Sequence, residues 1–371
     1  MTMWLRNLVD NGEQFSLNLY NRLRLPGFLA IVFLSFWESI YCLLHRIVPS
    51  EYNSEERINK YIREHRLALE QSEKDTSNAR IAIVTGANGG IGFETAKALG
   101  RAGFTTILAC RSSKRAQQAQ HQLKEITGHD GYVPMELDLA SFRSIDQFAL
   151  EMKRLYKTVN VLVCNAGVAF MHYDTTFDGL ESQFGTNYVG HYLLVQKLMP
   201  LLQATLAEHG TNARVIVASS IAAGMVREIE YKRITDVWRF SRFGNYATSK
   251  LALVMFSNRM ARTLAGSGVN VNAFHPGLVA TALYRHVSAL PGVDALRHWL
   301  WLDQATGATT AIFMALAPKL NNITGCYFAR EQQTAMPPIA NDFAAQDNLQ
   351  EFTDKLIAAN IHPPNLLDSI N

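Results

Sequence analysis

Tyr246 and Lys250 stand four residues apart in a stretch, 245–265, whose apolar spacing reads as helix, so a phenol and an ammonium share one face. A neighbouring cation favours the phenolate. A phenol of ordinary pKa about 10 then moves toward the range in which it can both give and take a proton at neutral pH. Ser220 follows an apolar run, 215–218, that reads as a strand, and its hydroxyl can hold a substrate oxygen by a hydrogen bond. The three together can move a proton to or from an oxygen on carbon. Tyrosine and lysine are common neighbours on helices, so the framework around them decides what the pair means.

That framework starts at Thr85-Gly86-Ala87-Asn88-Gly89-Gly90-Ile91-Gly92. The apolar run 81–84 before it reads as a buried parallel strand and 93–99 after it as a helix start. The glycines therefore occupy a strand-to-helix turn, where a pyrophosphate docks against the positive end of a helix. Gly86 permits the tight turn, Gly90 lets backbone approach the phosphates, and Gly92 lets the helix pack closely on the strand. Further strand-like runs at 105–109, 132–137, 161–164, 215–218 and 271–274 alternate with helical patterns such as 141–156, 183–207 and 245–265. Strand then helix, repeated, predicts an α/β fold of the Rossmann type: a doubly wound parallel sheet, covered on both faces, in a single domain.

The end of the second strand selects the nicotinamide cofactor. An NAD site wants an acid about 20 residues past the glycines, on the ribose hydroxyls. Here the strand ends Cys110-Arg111-Ser112, followed by Lys114 and Arg115, with no acid. Arg111 is placed to pair with a 2′-phosphate, which favours NADP(H) over NAD(H). At the next strand ends, Asp138 and Leu139 read as contacts to the adenine end, and Asn165, Ala166 and Gly167 as a floor of small residues beneath the ribose.

The 371 residues, 48% of them apolar, suffice for one substantial core plus extras, and no internal repeat is visible. A net charge of +3 with no dense basic block leaves no footprint for nucleic acid. Cys42, Cys110, Cys164 and Cys326 are far apart and read as reduced thiols, and the eleven histidines form no ligand cluster, so no metal site is expected. Residues 25–44 are mostly apolar and nearly long enough to span a bilayer, with Glu38 interrupting them. A carboxylate at mid-depth costs roughly 2 to 3 kcal/mol, which favours shallow or interfacial insertion. The chain divides into an apolar membrane-associated segment, 1–49; a charged helix or linker, 50–78, read as a solvated spacer; the catalytic domain, 79–335; and a closing helix with a loose tail, 336–371.

Over 79–335 these motifs resemble the short-chain dehydrogenase/reductase family, and more narrowly its retinol-dehydrogenase-like branch, with its WW-domain oxidoreductase and polyprenol dehydrogenase members. The matching stretches are 85–92, 108–111, 138–141, 163–167, 179–191, 214–220, 246–250 and 275–281. The resemblance implies an NADP-dependent oxidoreductase acting on CH–OH groups. Tyr246 is then the general acid/base, Lys250 lowers its pKa and holds the nicotinamide ribose, Ser220 orients the carbonyl or alcohol, and Asn187 anchors a water that links Lys250 to solvent. Of the paired serines, the second fits the family pattern. Pro276, Gly277, Val279 and Thr281 resemble the segment that fixes the nicotinamide carboxamide. The resemblance further implies a location on the endoplasmic reticulum or lipid droplets, with the catalytic domain facing the cytosol, and a possible homodimer.

Two departures stand out. Cys164 replaces an asparagine found in many members. The 25 residues between Ser220 and Tyr246 exceed the compact bacterial pattern. This insertion carries Met225, Val226, Ile229, Tyr231, Val237, Trp238, Phe240 and Phe243, and the segment after Thr281 adds Leu283, Tyr284, Leu290, Leu300 and Trp301. Such an apolar rim suits a lipophilic substrate of the retinoid, sterol or polyprenoid class. His191, one turn beyond Asn187, reads as structural. Two other readings of the chain are a dinucleotide-binding scaffold without turnover and a soluble reductase of small carbonyls.

Overall fold

The computed structural model of the chain describes residues 53–71, 79–281 and 301–361, together with Gly12, Phe15, Ser16, Phe36, Trp37, Ser39 and Ile40. Nearly all of the apolar run 25–44, the rim positions Leu283, Tyr284, Leu290 and Leu300, and the tail beyond 361 lie outside the described residues. Among the described residues no helix is long and apolar enough to cross a membrane.

In chain order the elements are α1 (Ser54–Glu70), β1 (Ile81–Thr85), α2 (Gly90–Arg101), β2 (Thr105–Cys110), α3 (Ser113–Thr127), β3 (Tyr132–Glu136), α4 (Phe142–Leu155) and β4 (Val161–Cys164). A helical turn Ser182–Phe184 and a π turn Gly185–Val189 then lead into α5 (Gly190–His209). The chain continues with β5 (Ala213–Ala218), α6 (Tyr231–Thr235), α7 (Arg242–Thr263), β6 (Val269–His275), α8 (Gln304–Leu316), β7 (Tyr327–Ala329), β8 (Gln332–Thr334) and α9 (Phe343–Ile361).

The strands form one sheet in the order β3-β2-β1-β4-β5-β6-β7-β8, parallel except for the last pairing. Strands β1, β4, β5 and β6 are buried at every position; β1 and β4 are nearly continuous apolar runs, and the polar side chains of Arg214 in β5 and of Asn270 and Asn272 in β6 are bonded to backbone carbonyls. Pro134, which has no N–H to donate, is tolerated because β3 is the edge strand. On one face Phe148 of α4, Leu198 of α5, and Leu251 and Leu253 of α7 share a core. On the other, Ile58 of α1, Leu99 of α2, Leu123 of α3 and Ile312 of α8 form the second layer. Strand β1 pairs with both β2 and β4, so the winding reverses there and a crevice opens at their carboxyl ends.

The stretch expected to be a solvated spacer is, in its described part, the docked helix α1. Ile58, Tyr61 and Ile62, spaced to share one face, are buried against the domain, and the Tyr61 ring packs 5.3 Å from that of Phe313. The Arg57–Glu331 pair at 2.5 Å and the Arg101–Glu55 pair at 2.7 Å flank the contact. A narrow apolar stripe suffices to dock a helix whose other faces are charged. At the far end of the chain α9 closes the opposite face, with Phe352 stacking 4.5 Å from Tyr231 and the Thr353 hydroxyl 3.0 Å from that of Tyr188.

Candidate active site

The turn from β1 to α2 needs its glycines. Gly86 has φ of 69°, in the left-handed region. A Cβ on Gly92 would strike the Gly86 carbonyl and lie 2.6 Å from Asn165 Nδ2. The helix start is also open. Side chains of Asn53, Ser112, Ser141, Ser241 and Asp303 cap α1, α3, α4, α7 and α8, whereas α2 begins after Gly89 with no side-chain cap. A Cβ on Gly89 would meet nothing within 4 Å. Open amides, free space and the positive end of α2 make a seat for a pyrophosphate, so the residues fit a dinucleotide.

This seat is one end of a cavity of about 1080 Å³. Gly86, Asn88, Gly89, Gly90 and Ile91 line it, as do Arg111, Asp138, Leu139, Asn165, Ala166 and Gly167. So do Ser220, Tyr246, Lys250, Pro276, Gly277, Val279 and Thr281. Of the catalytic and cofactor residues singled out in the sequence, Gly92 and Asn187 stand behind the wall instead of in it, and none of the apolar residues expected from the 221–245 insertion lines this cavity, Val226, Ile229 and Tyr231 packing on the core. Arg111 is exposed at the end of β2, beside Ser112 and Arg115, which also line the cavity. The Asp138 carboxylate accepts the amide of Ala140 at 2.9 Å, so it shapes the strand end as well as facing the cavity. Asn165 donates from Nδ2 to the Thr85 carbonyl at 2.9 Å and so stitches β4 to β1.

At the other end, Tyr246 and Lys250 lie one turn apart on α7, 2% and 4% exposed, with the ammonium 5.9 Å from the centre of the phenol ring. The Lys250 ammonium donates to the Ala218 carbonyl at 2.9 Å. Ser219 turns away and donates to the Lys250 carbonyl at 2.7 Å, while the Ser220 hydroxyl accepts the Ala222 amide at 3.3 Å and faces the same cavity as Tyr246. Phe170 packs 5.0 Å from the Tyr246 ring and 5.9 Å from that of Phe243, an apolar wall beside the phenol.

The electrostatics differ from the sequence expectation. Burial pushes the Tyr246 phenol up to about 12, partly offset by the neighbouring Ser220 hydroxyl, and pushes Lys250 down to about 8. Removing both groups from water penalises their charged forms, and in the chain alone this outweighs the attraction between them.

Asn187 sits in the π turn, fully buried. Its Oδ1 accepts the Val168 amide at 2.8 Å, and its Nδ2 donates to the Val168 carbonyl and to Ser249 Oγ, both at 2.9 Å. A Cβ on Gly167 would lie 3.2 Å from Asn187 Oδ1 and 3.5 Å from Lys250 Nζ, so Gly167 separates the two. Sequence reasoning set Thr85 at the head of the glycine motif but gave its side chain no role, and gave Ser249 none. The Thr85 hydroxyl accepts the amides of Asn165 and Ala166, each at 2.9 Å. It also missed Met171, Thr175 and Thr186 in the cavity wall, which come from irregular or π-turn segments with no periodic signal.

The short chain dehydrogenase family model matches residues 80–290. A chloroplastic short-chain dehydrogenase TIC 32 A of Brassica napus is 36% identical over 281 residues, covering 74% of this chain and 88% of that protein. The polyprenol dehydrogenase of Homo sapiens is 39% identical over 259 residues, covering 69% and 78%. A Pseudomonas aeruginosa RhlG complex with NADP superposes with a TM-score of 0.54 at 25% identity, covering 68% of this chain and 94% of that one. The chain belongs to the short-chain dehydrogenase family of oxidoreductases, which use a nicotinamide dinucleotide.

Proposed function

We propose that the protein reduces a lipophilic carbonyl, or oxidises the corresponding alcohol, with NADP(H), on a substrate of the retinoid, sterol or polyprenoid class. The observation that carries this reading is the cavity itself. One continuous space joins the open amides of α2 and the Arg111 guanidinium to the buried group of Ser220, Tyr246 and Lys250. The bound dinucleotide supplies or takes up the hydride.

Gly89, Gly90 and Ile91 would hold the pyrophosphate through their amides, and Arg111 the 2′-phosphate by charge-assisted bonds. Ser220 would orient the substrate oxygen. Tyr246, raised to about 12, carries its proton at pH 7 and would give it to that oxygen as a carbonyl is reduced. Lys250, at about 8, is mostly charged at pH 7, and its ammonium would stabilise the phenolate left behind. The direction follows the redox poise of the cofactor, and with NADP(H) in the cytosol carbonyl reduction is expected. Asn187 would act from behind the wall, through Gly167 and Val168.

The aromatic pair Phe170 and Phe243, with the partly exposed insertion that carries Val237 and Trp238, supports an apolar substrate, as does the polyprenol dehydrogenase relative. The apolar run 25–44 would attach the protein to the endoplasmic reticulum or lipid droplets with this domain facing the cytosol, and a homodimer is compatible with the reading. Three measurements test it. Titration with NADPH and NADH followed by nicotinamide fluorescence should show tighter NADPH binding. A panel of retinal, steroid ketones and a polyprenal should then show turnover of one class; binding without turnover of any would reject the substrate reading. Removal of residues 1–49 should release the protein from membranes.

A further inference from the structure

The imidazole of His191, one turn past Asn187, is fully buried and has no part in the chemistry above. Its Nδ1 lies 2.7 Å from the Asn187 carbonyl and its Nε2 lies 3.0 Å from Thr85 Oγ1. Counting protons fixes the tautomer. A carbonyl can only accept, so Nδ1 carries the proton that it donates to Asn187. Thr85 Oγ1 spends both lone pairs on the amides of Asn165 and Ala166, so its own proton must point outward. His191 Nε2 at 3.0 Å is a nearer acceptor for it than the Val163 carbonyl at 3.3 Å. Both counts give one neutral ring, protonated at Nδ1. Burial keeps it neutral, with its pKa down at about 4.

We propose that His191, held as the Nδ1–H tautomer, is a positioning residue that ties the Asn187 carbonyl in the π turn to Thr85 at the foot of the glycine-rich turn. Thr85 immediately precedes Gly86 in the cofactor seat. Asn187 and Lys250 meet at Gly167, where an added methyl group would lie 3.2 Å from Asn187 Oδ1 and 3.5 Å from Lys250 Nζ. The strut therefore links the element that receives the dinucleotide to the one that sets the proton-transferring lysine. Its kinetic consequences rest on the proposed reductase reading; the tautomer does not.

Two half-replacements separate the links. Asparagine can present an amide N–H where the imidazole Nδ1–H sits, and glutamine an amide oxygen near the place of Nε2. His191→Asn thus retains the bond to Asn187, and His191→Gln the bond to Thr85. In the full chain, with NADPH and the carbonyl that the wild type reduces, His191→Gln should lower kcat by about tenfold or more, since small misplacements of reacting groups are costly. Its KM for NADPH should stay within about threefold, because the tie to Thr85 survives; His191→Asn should keep kcat within about threefold of wild type but raise the KM for NADPH by more than about threefold, because it keeps the donor on Asn187 and frees Thr85 at the glycine-rich turn. Equal rates for the two variants, or an asparagine variant slower than the glutamine one, would overturn the proposal. Independently of turnover, ¹⁵N-histidine spectra at pH 7 should show a neutral ring protonated at Nδ1. An Nε2–H tautomer or an imidazolium would overturn it, whereas absent wild-type turnover with the expected tautomer counts against the substrate reading alone.

Discussion

At the β2 end of the cavity Arg111 and Arg115 stand in water, while at the α7 end Tyr246 and Lys250 are almost wholly enclosed, although all four face the same space. An exposed guanidinium contributes little to the fold by itself, so on the proposed reading this end would select the cofactor without being part of the core. A buried phenol and ammonium have given up hydration, and their proton affinities are set by the fold around them. Selectivity and chemistry are thus separable here: one end can be altered with the protein intact, and the other cannot be altered without touching its core.

The largest effect should come from the enclosed end. Tyr246→Phe removes the proton donor and leaves the ring and its packing on Phe170, so kcat should fall about 10²- to 10⁴-fold with NADPH affinity nearly unchanged. Steady-state kinetics alongside fluorescence titration checks this, and a variant retaining a third of its turnover would remove the phenol from the mechanism. At the exposed end Arg111→Ala should raise the KM for NADPH about tenfold while leaving that for NADH and the melting temperature where they were. Equal losses with both cofactors would show that the guanidinium shapes the fold instead of reading the 2′-phosphate.

The smallest effect at neutral pH should come from a buried base outside the site. His65 on α1 stacks 5.3 Å from Phe104, and burial, with the nearby Arg214 charge adding to it, lowers its pKa to about 4. The unfolded chain, with a histidine pKa near 6.5, binds the proton first. Stability from His65 is therefore complete above about pH 6.5 and is lost as the pH falls toward 4, by about 3 kcal/mol at most. His65→Phe should flatten the fall in melting temperature between pH 6.5 and 4 without changing turnover at pH 7. An unaltered acid slope would mean that His191, shifted the same way, dominates the acid response.

Much of this was legible in the residues. The glycine turn, the ends of β2 and β4 and the Tyr246–Lys250 spacing encode local backbone and helix-face constraints, which do not need the rest of the fold to be recognised. Ser220 was separable from Ser219 only by the family pattern, and the structure places the first hydroxyl on the Lys250 carbonyl and the second at the phenol. What escaped was tertiary. Ile58, Tyr61 and Ile62 are too few among charges to announce that α1 docks, and β7 and β8, three residues each, are too short to show a period. The π turn at 185–189 interrupts a pattern that reads as one helix. The direction of the Tyr246 shift depended on burial, which spacing cannot supply.

The bare start of α2 also bears on how long the protein lasts. Its first amides have no side chain of their own to satisfy them, so a nucleotide bound there as proposed would complete a piece of secondary structure as well as bringing reactivity. Whatever binds only the folded chain withdraws it from the unfolded pool, and at a hundred times its dissociation constant such a ligand adds about 2.7 kcal/mol. With the site as proposed, degradation of transiently opened molecules would slow as nucleotide accumulates, tying the number of surviving copies to nucleotide supply.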